Sequence, residues 1–413
     1  MRDYVEMKIL LLTDIPPCKN YTAGLVLDQL CRFLPRGSIS CFCVAVRELN
    51  ARLSPDLEWI PIQYEYRPKE TLAIFSKRFP FLHTLVNLGL YMYNGPAIKH
   101  IASEAIKFGR AFGADTLWCP LEGPTQLRLA LPVAESLGIP LLTEVYDPPQ
   151  WILRAQSTPH IVQSVLLRKF DKILRKSHAC ATASWPMAKQ YVEQYGTKTV
   201  ALLPSLDPSM ALTPATRINS GNELVIGMAG QIYATEEWKA LIRALDSVHW
   251  KICDRDVRIR LLGRWASFNV NNPVRIEYLG WHTQEKSVEL LSEADILYLP
   301  YPFDPAFETE ARLSFPSKLT TYFAAGRPVL FHGPSYASPA VFLKDNEAGF
   351  PCCSNEQSDI ITALKTLVTD TSLYSQLTHN GRMAFDKYLT LSSLRQSFAT
   401  FLGVREDFLV PNG

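Results

Sequence analysis

The chain has 413 residues, more than one core usually spans, so two domains of about 200 residues are expected. Hydrophobic residues make up 47% and charged residues 20%, the balance of a soluble globular protein rather than a disordered or fibrous one. A net charge of +2 exerts no global pull on nucleic acid.

The first apolar run, in "MRDYVEMKILLLTD", is only about five residues long, too short for a signal-peptide core or a membrane span. It reads as a buried strand, and the expected location is the cytoplasm. Nine cysteines without paired CxxC motifs fit free buried thiols, not a zinc site.

Strands are expected at 8–14, 40–46, 116–121, 140–147, 179–184 and 199–205, each separated by helical patterns. Strands apolar on both faces, alternating with helices, mean a parallel sheet. The polar stretch 207–223, rich in Pro, Ser, Thr and Asn, breaks the pattern and reads as a linker. The alternation then restarts, with strands at 224–230, 257–263, 274–280, 296–300, 328–334 and 348–352. Helices are expected at 235–248, 284–293, 316–325, 338–344 and 357–367, and two more at 371–388 and 391–402. The fold expected is two Rossmann-like doubly wound domains facing each other across a cleft, 1–206 and 224–390. Ligands of open parallel sheets bind beyond the carboxyl ends of the strands, so the loops there carry the chemistry.

In the first half, Gly24 opens a helix after "TDIPPCKNYTA", where free N–H groups meet an anion or a sugar hydroxyl, or else simply turn the chain. No GxGxxG or Walker sequence is present, which disfavours a dehydrogenase or a kinase. Glu122, Glu144 and Asp147 lie at strand ends and either act on an acceptor hydroxyl or cap the following helix. In the second half, Gly230, Gly263 and Gly280 end strands, where a backbone without side chains admits close approach, and Arg264, Trp281 and His282 follow two of them. "SFPSK" puts Ser314, Ser317 and Lys318 at a helix start, with Pro316 near the first turn. That is either an anion site or a solvated lysine.

The second half resembles the retaining glycosyltransferases of the two-Rossmann-domain (GT-B) architecture, the family 4 type. The resemblance is carried by "GQ" at 230–231, "LLGR" at 261–264, "IEYLGW" at 276–281, "LLSEADILYLPYPF" at 290–303 and "FPSKLTTYFAAGRPVLFHGP" at 315–334. The first half is similar more loosely, through "YDPPQW", "TASWPMAKQYVEQYG" and "LLPSLDP". The resemblance implies sugar transfer from a nucleotide-diphosphate sugar, with retention, to a glycan or lipid-linked acceptor in polysaccharide or glycoconjugate synthesis. Arg264 and Lys318 would neutralise the diphosphate, beside Gly230, Gln231 and Gly263. Ser314, Ser317, Thr321 and Tyr322 would contact it or the ribose, and Gly280, Trp281 and His282 the base. Asp147 would serve catalysis, with Gly24, Glu122 and Tyr146 on the acceptor side. No cofactor beyond the donor and no metal is expected. The helix 391–402 would cross back to the first domain.

Several positions depart from the family pattern. Gln231 and Glu236 stand where basic residues are usual, Leu313 and Thr321 where paired glutamates are, and Tyr146-Asp147 where His-Asp is. They leave room for a second reading, a catalytically weak nucleotide-sugar-binding or scaffolding subunit. An epimerase on the same fold would need an acid–base pair that the sequence does not offer. Finally, "RFPFLHTLVNLGLYMY" (78–93) is apolar and aromatic between basic flanks, and "LLRKFDKILRKSH" (166–178) is basic and amphipathic. Both fit either a peripheral contact with an anionic membrane or buried helices with a solvated rim.

Overall fold

The computed structural model describes residues 7–72, 79–263 and 275–411. The chain divides into two compact units, 1–202 with 395–413, and 203–394.

In the first unit the strands are β1 (Ile9–Thr13), β2 (Ile39–Ala45), β3 (Ile62–Tyr66), β4 (Thr116–Pro120), β5 (Leu141–Val145), β6 (Ala179–Thr182) and β7 (Thr199–Ala201). The helices are α1 (Thr22–Cys31), α2 (Pro80–Tyr93), α3 (Gly95–Phe112), α4 (Pro124–Leu137), α5 (Pro149–Ala155), α6 (His160–Lys176) and α7 (Trp185–Tyr195). All strand pairs are parallel, in the order β3-β2-β1-β4-β5-β6-β7. β1, β2, β4 and β5 are buried along their whole length, which is why they read as unbroken apolar runs. β3 (IQYEY) is a half-exposed edge strand, and its mixed composition hid it from the sequence reading.

The second unit holds β8 (Glu223–Ala229), α8 (Thr235–Ser247), β9 (Lys251–Ile252), β10 (Arg255–Leu262), β11 (Ile276–Gly280), α9 (Gln284–Ser292) and β12 (Ile296–Pro300). It continues with α10 (Glu308–Leu313), α11 (Lys318–Ala324), β13 (Val329–His332), α12 (Ser338–Asp345), β14 (Gly349–Cys352), α13 (Gln357–Thr369) and α14 (Thr371–Tyr388). The order is β11-β10-β8-β12-β13-β14, with β9 antiparallel on β10. Trp238, Trp250 and Tyr298 anchor a core of aliphatic residues from β8, β10 and α8.

The 207–223 stretch is packed onto the second unit. Leu212 N–H donates to the Ala324 carbonyl, Ala215 N–H to Gly326, and Asn219 N–H to the Asp295 carboxylate. Polar composition marked a segment without regular structure, but its backbone groups are tied down. The last helix, α15 (Leu391–Leu402), returns to the first unit from Arg395 onward. There Phe398 packs 5.5 Å from the Trp118 ring and 6.3 Å from Phe33, and Val410 N–H donates to the Phe33 carbonyl.

α2 carries an uncovered apolar face: Phe81, Met92 and Tyr93 are 76%, 71% and 82% exposed. Among the described residues no helix is long and apolar enough to cross a membrane.

His332 lies buried at the end of β13. Its Nε2 lies 2.9 Å from the Ser354 carbonyl and its Nδ1 2.6 Å from the Tyr298 hydroxyl, which donates to the Glu237 carbonyl at 3.1 Å. Burial lowers the imidazole to about 4. Between pH 6.5 and 4 the unfolded chain takes up a proton that the native state refuses, so stability falls on acidification through that window. In urea unfolding at pH 7 and pH 4.5 the parent should lose about 2–3 kcal/mol more on acidification than His332→Gln does.

Candidate functional site

In each unit the first strand sits between neighbours reached by crossovers of opposite direction, β1 between β2 and β4 and β8 between β10 and β12. Such switch points open a crevice at the carboxyl edge of a parallel sheet. The pairing is short on one side of each: three residue pairs join β1 to β4 and two join β8 to β12.

At the second unit's crevice, Gly230, Gly263 and Gly280 stand side by side at positive φ of 85°, 130° and 77°. Gly230 N–H donates to the Leu262 carbonyl and Gly263 N–H to the Gly280 carbonyl, each at 2.8 Å. A Cβ on Gly263 would lie 3.0 Å from the Gly230 oxygen, and one on Gly230 3.7 Å from Lys318 Nζ. Side chains here would be strained and would fill the space in front of the lysine.

Lys318 reaches over this edge from the start of α11. Its Nζ donates to the Gln231 carbonyl at 3.2 Å and stands 5.4 Å from the Tyr233 ring centroid. Desolvation alone lowers the ammonium to about 8. Among the described residues no carboxylate offsets the desolvation of this half-buried cation, an arrangement of the kind that suits an anion.

The structure corrects the reading of "SFPSK" in part. α11 has seven residues, beginning at Lys318 rather than 316. Ser317 is exposed and helical and gives no capping hydrogen bond. Ser314 donates its hydroxyl to the Glu310 carbonyl at 2.5 Å and accepts from the Ser338 hydroxyl at its own carbonyl. Thr321 is half-buried one turn into the helix. Tyr322, expected at the ribose or diphosphate, is fully buried; it accepts from Ala229 N–H and donates to the Tyr298 carbonyl, both at 3.0 Å. It clamps the diverging ends of β8 and β12 and so positions Gly230. Gln231 and Trp281 are exposed, Trp281 by 68%, and His282 Nε2 lies 2.8 Å from the Leu279 carbonyl. Arg264 lies outside the described residues.

At the first unit's crevice the structure gathers polar groups that the sequence scattered. Asp14 follows β1, Glu122 follows β4, and Glu144 and Tyr146 end β5. Glu122 lies against Asp14, and desolvation followed by that charge raises its carboxyl well above the ordinary range. Glu144, fully buried, is raised to about 8 by desolvation, although Trp118 Nε1–H donates to it at 3.1 Å. Arg67 Nη1 lies 3.0 Å from Asp14 and 3.9 Å from Glu70. Asp147, half-buried in the loop before α5, adds to the charge raising Tyr191. Gly24 is buried within α1, and the site of its missing Cβ is occupied by Cys18 Sγ at 2.2 Å. The glycine is there to let the "PPC" loop fold onto the helix. Asp14, Arg67, Glu70 and Gln126 escaped the sequence reading. Only Asp14, a charge directly after a buried strand, carried a visible signal.

Between pH 4.5 and 8 native Glu144 holds a proton that the unfolded chain has released, so its contribution to stability is full below 4.5 and is lost as pH rises through 8. Glu144→Gln keeps an acceptor for Trp118. In urea unfolding at pH 5 and pH 8 the variant should lose less stability with rising pH than the parent, the difference reaching a few kcal/mol.

No protein-family model and no curated protein sequence matches the chain. Solved structures do. HepE of Anabaena in complex with UDP superposes with a TM-score of 0.63 at 15% identity, covering 96% of this chain and 100% of that one. Sucrose-phosphate synthase from Thermosynechococcus elongatus gives 0.65 at 11%, covering 96% and 98%. The lipopolysaccharide outer core galactosyltransferase WaaB gives 0.63 at 11%, covering 96% and 99%. Two parallel-sheet α/β domains, shared with these proteins over nearly the whole chain, make the fold that of the GT-B glycosyltransferases.

Proposed function

We propose that the chain is a glycosyltransferase that moves a sugar from a nucleotide-diphosphate donor, with retention, to a glycan or lipid-linked acceptor in polysaccharide or glycoconjugate synthesis. The observation that carries this reading is Lys318: a desolvated ammonium, offset by no charge among the described residues, in front of a glycine-lined edge at a switch point. The neighbours add weight, since HepE has been solved with UDP and with UDP-glucose. Retention rests on the sequence resemblance.

In this reading the diphosphate lies against Gly230, Gln231 and Gly263, where backbone comes close, and Lys318 meets its oxygens. As the glycosidic bond breaks, negative charge grows on the leaving diphosphate. A cation fixed beforehand in a partly dry crevice stabilises that charge more in the transition state than in the ground state. Arg264 would share the task, doing a metal's work on the phosphates without one. Gly280, Trp281 and His282 border the base, Ser314, Ser317 and Thr321 the phosphate side. In the other unit, Asp147, Glu122 and Tyr146 act toward the acceptor hydroxyl. Leu313 and Thr321, in place of the family's acidic pair, favour a second reading as a donor-binding subunit with weak turnover.

Lys318→Ala should lower transfer turnover by about a hundredfold or more while weakening UDP affinity less. Its melting temperature should be unchanged or raised, because the buried cation costs stability. UDP binding to the parent should weaken as pH rises through about 8, with no such slope in the variant. Full turnover in Lys318→Ala, or activity that disappears with a chelator and returns with magnesium or manganese, would sink the mechanism.

We also propose that the protein works at the cytoplasmic face of a membrane, with α2 on the bilayer surface. Its exposed Phe81, Met92 and Tyr93 stand among exposed basic residues that include Lys69 and Lys99. Sedimentation with anionic liposomes should show binding that salt weakens and that Phe81→Ser with Tyr93→Ser abolishes. Equal recovery with neutral and anionic vesicles would count against it.

A further inference from the structure

The crevice at the β1/β4 switch point holds an unusual concentration of unsatisfied groups. Both ends of the Gln126 amide and Gln156 Oε1 are buried without a hydrogen-bond partner, and Asp14 Oδ1, Glu122 Oε1 and the Tyr146 hydroxyl are buried with only one another's side chains and that of Glu144 to meet them. Gln126 is completely buried in the first turn of α4. Each such atom costs roughly 1–3 kcal/mol if nothing meets it, and native proteins keep few of them. The residues carrying them lie after β1, after β4, in α4, at the end of β5 and in α5 or directly after it. Three polar tips converge on Gly123: a Cβ there would lie 3.6 Å from Gln126 Oε1, 3.7 Å from Gln156 Nε2 and 3.8 Å from Glu70 Oε2. A methyl group there would be in ordinary contact with all three tips. The neighbouring pocket beside Thr158, of about 10 Å³, takes one water and accounts for the Thr158 hydroxyl, but the Asp14, Glu122, Gln126 and Tyr146 side chains do not line it.

We infer that this crevice binds an uncharged sugar through its hydroxyl groups and discriminates against sugar phosphates. The inference deepens the transferase reading by naming the class of the acceptor moiety, and it rests on that reading for the word acceptor alone. A sugar hydroxyl both donates and accepts. The crevice offers both functions at close quarters: an amide with two open ends, a phenol, and the Glu122 carboxyl, which burial and the neighbouring Asp14 charge raise well above the ordinary range. A phosphate monoester would need cations. Among the described residues Arg67 is the guanidinium at the centre, and two carboxylates already hold it, at 3.0 and 3.9 Å. Arg128, nearer Glu70, is stacked on the Tyr91 ring at 4.3 Å. Among the described residues of this unit, a dianion entering here would face Asp14, Glu70 and Glu122 with both nearby guanidiniums, Arg67 and Arg128, already engaged, and like-charge repulsion disfavours it. A metal ion is not the better occupant: among the described residues no three carboxylate, imidazole or thiol groups converge as a ligand set.

The test uses the full chain, saturation-transfer NMR, and methyl glycosides of glucose, galactose, mannose and N-acetylglucosamine, each beside the matching 6-phosphate. At least one glycoside should bind saturably, and its 6-phosphate should neither bind nor compete. Gln126→Leu, which keeps the volume but removes the amide, should weaken that glycoside about tenfold or more. Glu122→Gln should weaken it as well, which covers the case of a Gln126 variant that does not fold. UDP binding, followed in the same samples by melting temperature, should be unchanged in both variants. Equal or tighter binding of the 6-phosphate would overturn the inference. So would glycoside affinity indifferent to both substitutions, or no glycoside binding at all, which would mean that the crevice holds waters only. If a glycoside binds as described and UDP has no effect on melting, the sugar site stands and the donor reading falls.

Discussion

Parallel pairing is the constraint from which the rest follows. When every strand of a sheet runs the same way, every carboxyl end lies on one edge, and the chain must cross back by a helix between strands. Where crossovers on either side of the first strand run in opposite directions, neighbouring loops turn apart and leave a crevice. Both units have this arrangement, and both concentrate their unusual groups there. The second unit presents the Lys318 cation against bare backbone. The first presents neutralised carboxyls and open amide and hydroxyl groups. One edge carries a desolvated cation and the other raised carboxyls and uncharged polar groups, and the difference lies in the loops rather than in the sheets.

The two crevices are stabilised in different ways. In the second unit a tyrosine hydroxyl bridges the splayed ends of β8 and β12, so that backbone geometry around Gly230 is fixed from inside the core. In the first, Trp118 ties Glu144 into the core, and Arg67 links Asp14 and Glu70, but several polar atoms remain without partners. Unsatisfied groups of this sort are costs that a fold carries where a ligand is to replace water.

Most of the architecture was legible in the sequence because buried parallel strands are apolar on both faces. The runs at 8–14 and 296–300 stand out for that reason, and the helices 371–388 and 391–402 for their periodicity. β3 was not legible, since an edge strand with Tyr, Gln and Glu looks like a loop. Lys318 and the strand-end glycines could be found because both have short-range signals, a helix start and a strand end. Tyr322 and Gly24 misled for one reason: spacing places a residue on an element but does not say which face turns inward. The crevice around Gln126 draws on loops more than fifty residues apart in sequence, from Asp14 to Glu70 to Glu122, and no local pattern reports such a meeting.

The return of α15 has a consequence for biosynthesis. Trp118 and Phe33 complete their packing against Phe398, and the Phe33 carbonyl receives its hydrogen bond from Val410. These partners are translated only after the whole of the second unit, which is one unbroken stretch, 203–394. Domains fold as units during synthesis when their residues are to hand. Here the unit translated second can finish first, while the unit translated first waits with an open apolar flank. That interval is when the nascent chain most needs a chaperone.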